Sequence, residues 1–151
     1  TINLAYPRKS VAHPLNGFGF VVPFIEKRSL LACTFSNVKF AGRAPEDHVL
    51  LRAFAGGALQ PEMFDDPGIR IERDLCELLS IKGKPLFMEI AKWKRSMPQY
   101  EVGHLDRVQA IENEVAGLPG FALAGNAYRG AGIPDCIRSG ESAAQSLVSE
   151  V

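Results

Sequence analysis

The sequence predicts an α+β fold: an antiparallel or mixed sheet from about the first hundred residues, helices packed on one side of it, and a strand-turn-helix unit at the C-terminal end. Three observations carry this prediction. Bulky apolar residues alternate over several short stretches of the first half, apolar residues fall at helical spacing in three later segments, and a glycine-rich turn joins a short apolar run to the last of these. With 151 residues, 46% of them hydrophobic, the chain has enough apolar material for a compact core. The 17 basic residues are balanced by 17 acidic ones, and no basic stripe is interleaved with aromatics, so nucleic acid is set aside as a partner.

Taken in order, Ile2, Leu4 and Tyr6 alternate at once like an interior strand, and without an initiator methionine the chain reads as beginning inside a longer protein. Residues 17–24, GFGFVVPF, place bulky side chains after closely spaced glycines until Pro23 halts the run, as in a strand pressed against something flat. Residues 30–38 (LLACTFSNV) and 49–55 (VLLRAFA) predict two more strands, separated by the turn-rich KFAGRAPED and closed by Gly56 and Gly57. They are expected to pair as a hairpin with a long connection.

The middle turns helical. Asp66 and Pro67 open a segment in which Ile71, Leu75, Leu78 and Leu79 keep one apolar face, and Gly83 with Pro85 supplies its stop. Arg70, Glu72, Arg73, Asp74 and Glu77 are read as its solvated face. Residues 85–94, PLFMEIAKWK, alternate as a strand with Leu86, Met88 and Ile90 on one side and Phe87, Glu89, Ala91 and Trp93 on the other. A second helix is set by Leu105, Val108, Ile111 and Val115 and ended by Gly117 and Pro119. The last helix begins near Ile133 and keeps Ile137, Gly140, Ala144, Leu147 and Val151 on one face. Glycine inside a helix costs roughly 1 kcal/mol against alanine, so Gly140 implies close packing on the sheet or on a cofactor.

Cys33, Cys76 and Cys136 are odd in number and lack CxxC spacing, which suits a reducing compartment and gives no zinc motif. His13, His48 and His104 show no paired ligand spacing, so no metal is expected. No apolar run approaches the roughly 20 residues of a membrane helix. A cytoplasmic protein is expected, with peripheral membrane contact as the closest approach to a bilayer.

The most informative stretch is residues 117–140, GLPGFALAGNAYRGAGIPDCIRSG. Residues 121–124 form an apolar run read as a strand, glycines follow at 125, 130 and 132, and Pro134 suits the first helical position. Free amides at such a helix start attract electron-rich groups, and a nucleotide or flavin is the natural guest. The order GNAYRGAGIPDCIRSG resembles the C-terminal flavin-contacting segment of the oxygen-dependent protoporphyrinogen oxidases, a branch of the FAD-containing amine oxidase superfamily. GFGFVVP at 17–23, TFSNVKFAGRAPEDHVLLRAFAGG ending at Gly57, and KWKRSMPQYEVGH around Trp93 resemble the same family in the same order.

The resemblance implies the C-terminal part of a flavoenzyme. Residues 1–95 would belong to its substrate-binding domain, and 96–151 to a Rossmann-like FAD-binding domain whose N-terminal GxGxxG portion lies outside this sequence. FAD would be bound fully only with that portion. The implied partners are a porphyrinogen substrate and molecular oxygen, together with the missing portion or a second copy of the chain.

Position by position, Gly125, Asn126, Ala131, Gly132 and Ile133 match the turn beside the flavin, and Trp93 matches an aromatic packed against the cofactor region. Phe18, Gly19 and Val21 match residues lining the tetrapyrrole pocket. Asn126 replaces the acidic residue general among amine oxidases and favours the porphyrinogen branch. No side chain is assigned a catalytic acid or base role. Arg8, Lys9, Arg43 and Arg129 are candidates to grip substrate carboxylates. The alternative function is a non-catalytic interaction domain, or another member of the amine oxidase superfamily.

Overall fold

Alternation in the opening residues places β1 (Ile2–Pro7) inside the protein's sheet, with Ile2, Leu4 and Tyr6 buried. In this computed structural model, which describes residues 1–58, 60 and 67–149, β1 pairs antiparallel with β4 (His48–Phe54) on one side and β5 (Phe87–Ile90) on the other. β4 also pairs with β3 (Ala32–Phe35), and β3 with β2 (Gly19–Val21). The strand order is β2-β3-β4-β1-β5, and every pairing is antiparallel. The expected hairpin is therefore present as β3 and β4.

Register divides the sheet cleanly into two faces. Phe20, Cys33, Ala53, Ile2 and Ile90 form one cross-strand row, and Phe35, Leu51, Leu4 and Met88 form the next. Both rows face the hydrophobic core, with Phe20, Met88 and Ile90 partly buried against it, and the core also contains Leu30, Val11, Leu15 and Ile81. α2 (Gly68–Leu79) contributes Ile71, Leu75 and Leu79 to the same core. Burial pushes the Cys33 thiol up to about 12, which makes this cysteine an inert core residue.

The structure corrects several local expectations. The predicted strand ending at Val38 stops at Phe35, and one turn of helix, α1 (Ser36–Lys39), follows. Here Asn37 accepts the Leu50 N–H through its side-chain oxygen at 3.1 Å, a side-chain bond in place of a ladder bond. α2 ends earlier than Gly83: Ser80 adopts the left-handed conformation, at φ 51°, and its N–H returns to the Cys76 carbonyl. The predicted start at Asp66 lies outside the described residues.

Asp74 is buried, not solvated, while Leu78 is 36% exposed. Positions 71, 74, 75 and 79 make up the inward stripe of a helix of period 3.6, so Asp74 falls on it by geometry. Its Oδ2 accepts the N–H groups of Ser29 and Leu30 at 2.9 and 3.0 Å, and Arg28 Nη1 lies 3.6 Å from Oδ1. A polar residue on that stripe thus satisfies the backbone that enters β3.

The chain divides into two units, Thr1–Trp93 and Lys94–Val151. The second contains α3 (His104–Val115) and α4 (Ile133–Ser149), as the helical spacing predicts. Residues 121–124 form no strand. A ladder needs an edge to pair with, and all strands among the described residues belong to the five-stranded sheet of the first unit. A Cβ built at Gly140 meets nothing of its own unit within 4 Å, so packing inside that unit does not account for the glycine. Among the described residues no helix is long and apolar enough to cross a membrane, and no group of acidic, histidine or cysteine side chains could hold a metal.

Candidate functional site

The glycine-rich turn is shaped by what it wraps. Gly125 and Gly130 have φ of +125° and +151°, where L-residues are strained. A Cβ at Gly130 would lie 2.7 Å from the Asp135 side chain, and one at Gly132 would lie 3.0 Å from Asp135 Oδ2. Asp135 sits in the first turn of α4 and pairs with Arg138 at 2.7 Å. The turn can fold around this carboxylate only because both positions lack side chains.

Tyr100 cinches the turn from outside. Its hydroxyl donates to the Asn126 carbonyl and accepts the Gly130 N–H at 3.1 Å. The Tyr100 ring stacks on His104 at 4.2 Å, and His104 Nε2 donates to the Tyr128 carbonyl at 2.7 Å. Gly125 N–H donates to Ser139 Oγ at 3.1 Å, and Arg129 forks onto Glu112, holding that carboxyl below its ordinary value. The backbone from 125 to 130 is thereby fixed at several points.

The amides that follow are left open. Among the described residues the N–H groups of Ala131, Gly132 and Ile133 donate to nothing, although they stand in series at the start of the 17-residue α4. Such a row offers hydrogen bonds and positive potential to a carbonyl oxygen. This donor set fits a flavin ring carbonyl. A cavity of about 560 Å³ opens beside the turn, bordered by Phe121, Leu123, Gly125, Arg138, Ser139 and Ser142.

Tyr100→Phe should keep the ring stack and lose both hydroxyl bonds. Amide exchange at Gly130 is expected to accelerate about tenfold, the effect of losing about 1.4 kcal/mol of local protection. Unchanged exchange would show that the turn is held by other contacts.

In the first unit Phe18 and Val21 are 67% and 77% exposed, so core packing does not account for them. Gly19 has φ +147°, and a Cβ there would lie 2.1 Å from the Cys33 carbonyl oxygen. Its glycine is required by the pairing of β2 with β3. The register aligns Val21, Ala32 and Phe54 in one row on the sheet face opposite the core, and Gly19, Thr34, Arg52, Asn3 and Glu89 in the next.

Gly125, Asn126, Ala131, Gly132 and Ile133 are brought together in one turn, and Phe18, Gly19 and Val21 at one edge strand. Trp93 stands apart from those edge residues, just beyond β5 at the other edge of the sheet, with Nε1 donating to Thr1 Oγ1 at 3.3 Å. Of the cations singled out by sequence, Arg8 is committed to the Val11 and His13 carbonyls and Arg129 to Glu112 and Gln109. Arg43 lies over the Phe40 ring, and Lys9 is exposed. Sequence reasoning missed Tyr100, His104 and Arg52. The spacing PQYEVGH carries the signal for the first two, whereas only strand register identifies Arg52.

The flavin containing amine oxidoreductase family matches residues 1–148, and the chain belongs to that family. Within it, the chain is 35% identical over 153 residues to coproporphyrinogen III oxidase of Bacillus subtilis, a match covering 98% of this chain and 33% of the relative. Coproporphyrinogen III oxidase of Staphylococcus aureus is 31% identical, over all of this chain and 34% of its own length. A crystal structure from Exiguobacterium sp. 255-15, assigned as a protoporphyrinogen oxidase, superposes with a TM-score of 0.83 at 31% identity, covering 99% of this chain and 34% of that one. The chain spans about a third of the length of these relatives.

Proposed function

We propose that this chain supplies the substrate sheet and the flavin-contacting turn of an FAD-dependent porphyrinogen oxidase of haem biosynthesis. The enzyme would convert protoporphyrinogen or coproporphyrinogen to the porphyrin, with molecular oxygen as acceptor. Residues 1–95 would form the C-terminal part of its substrate domain, and 96–151 that of a Rossmann-like FAD domain. The observation that carries the reading is the row of open amides at Ala131, Gly132 and Ile133, held by Tyr100 at the start of α4.

When bound, FAD supplies the two-electron acceptor that no side chain can provide. The work of this chain is positional. The 131–133 amides hold a ring carbonyl and favour negative charge beside it, and Asn126 adds no second carboxylate to that of Asp135, which is paired with Arg138. Val21, with Ala32 and Phe54 continuing its face, offers an apolar floor to a flat macrocycle and excludes water from it, and the exposed Phe18 ring stands at the entry to the same edge strand. Gly19 holds that floor in place. No side chain of this chain is asked to move a proton.

The test is a titration of FAD against the chain alone, and against the chain mixed with the N-terminal two thirds of the Bacillus subtilis relative. Binding in the mixture is expected, and Gly132→Val should weaken it at least about tenfold by crowding Asp135 and the adjacent amides. No flavin binding by a folded mixture would sink the flavoenzyme reading and leave an interaction domain.

A further inference from the structure

Resting on the porphyrinogen reading, we infer that Arg52 is the residue of this chain that binds a substrate carboxylate and selects the more highly carboxylated porphyrinogen. Arg52 lies in β4 two residues before Phe54, so both side chains leave the same sheet face, about 7 Å apart along the strand. Its row contains Gly19 and Thr34, and the adjacent row contains Val21, Ala32 and Phe54. From Val21 to Phe54 the apolar row crosses three strands, about 10 Å. The exposed Arg52 guanidinium therefore borders the apolar row of Val21, Ala32 and Phe54.

Arg52 is also oriented. Its Nε donates to Asn3 Oδ1 at 3.1 Å, while the two terminal nitrogens bond nothing among the described residues. A guanidinium anchored at Nε presents its outer nitrogens as a fork, the geometry that matches a carboxylate. The Thr34 hydroxyl is a further donor in the same row. The one acidic side chain of that row, Glu89, lies beyond Asn3 on β5, two strands from Arg52. A carboxylate is thus favoured on the Thr34 side and disfavoured towards β5.

The chemistry of the two substrates gives this placement a consequence. Coproporphyrinogen III carries four propionates, whereas protoporphyrinogen IX carries two propionates and two vinyls. A vinyl laid over Arg52 would strip water from a cation and return nothing, whereas a propionate would pair with it. Arg52 accordingly reads the substituents by which the two macrocycles differ.

The test titrates coproporphyrin III and protoporphyrin IX, the air-stable oxidised forms, against the chain and its Arg52→Met, Arg52→Gln and Arg52→Lys variants. The wild type should prefer coproporphyrin III. Arg52→Met and Arg52→Gln should weaken its binding about tenfold and leave protoporphyrin IX within about twofold, while Arg52→Lys should recover part of the loss. Equal weakening for both porphyrins, or none for either, would overturn the assignment of Arg52 and leave the porphyrinogen reading standing. A wild-type chain that binds neither porphyrin would overturn both.

Discussion

Gly19→Ala should cost the first unit about 3 kcal/mol, read as a lower urea midpoint and a lower melting temperature. The added methyl must displace the Cys33 carbonyl, which lies 2.1 Å from the site of that Cβ, and the backbone there is held at φ +147°. Neither problem has a local remedy. The obstacle is main chain of the paired strand, so β2 must part from β3, and with it goes the Phe35 N–H bond to the Phe18 carbonyl at 2.9 Å. Phe18 and Val21 lose their placement in the same event. An unchanged midpoint would show that the edge strand tolerates the methyl and that Gly19 is not fixed by the pairing.

Asp74→Ala is expected to destabilise the same unit by about 3 kcal/mol, for a different reason. Removing the carboxylate leaves the Ser29 and Leu30 N–H groups without the acceptor that fixes them, and takes a buried charge away from Arg28. Charge-assisted bonds of this kind are worth roughly twice neutral ones, and the Leu30 N–H is buried where water cannot replace the lost oxygen. Asp74→Asn keeps one acceptor oxygen and should recover about half of the loss. Arg28 bonds Glu77 as well, at 2.8 Å, so Arg28→Ala, made at the surface, should cost under about 1 kcal/mol. If Asp74→Ala melted with the wild type, the staple would be incidental to the fold.

The alternation of Ile2, Leu4 and Tyr6, the pairing of β3 with β4 and the helix α2 follow from apolar periodicity, because each of those elements buries one face; α3 and α4 keep the helical period, although Val108 is the one fully buried residue of the two among those described. Asp74 shows where periodicity misleads: its charge argues for solvent, while its position on the stripe and two unsatisfied amides argue for the interior. The run 121–124 shows a second failure. Its composition suits a strand, but a strand exists only with a partner, and none of the described strands lies in its unit. Asn37 shows a third, in which one side-chain oxygen ends a strand that its neighbours would have continued.

For the site, glycine spacing and Pro134 point to the turn, yet the tyrosine that holds it lies 26 residues before Asn126 and looks like an ordinary loop aromatic. Arg52 was hidden for a simpler reason. Within VLLRAFA it is one polar residue in a strand, and only the register with β2 and β3 shows that it shares a face with Gly19 and Val21.

That separation of faces has a consequence for how such a protein can change. Core residues Leu4, Leu51 and Ala53 alternate with Asn3, Arg52 and Phe54 along the same two strands, so every second position answers to stability and the others form the face proposed to meet the substrate. Under the proposed function, substrate preference would therefore drift by single substitutions while the thermodynamics of folding stay nearly constant. Insertions have no such freedom. One extra residue early in β4 would exchange the two sets at a stroke, sending Arg52 into the interior and Leu51 to solvent, so the length of that strand is under stricter constraint than half of its letters.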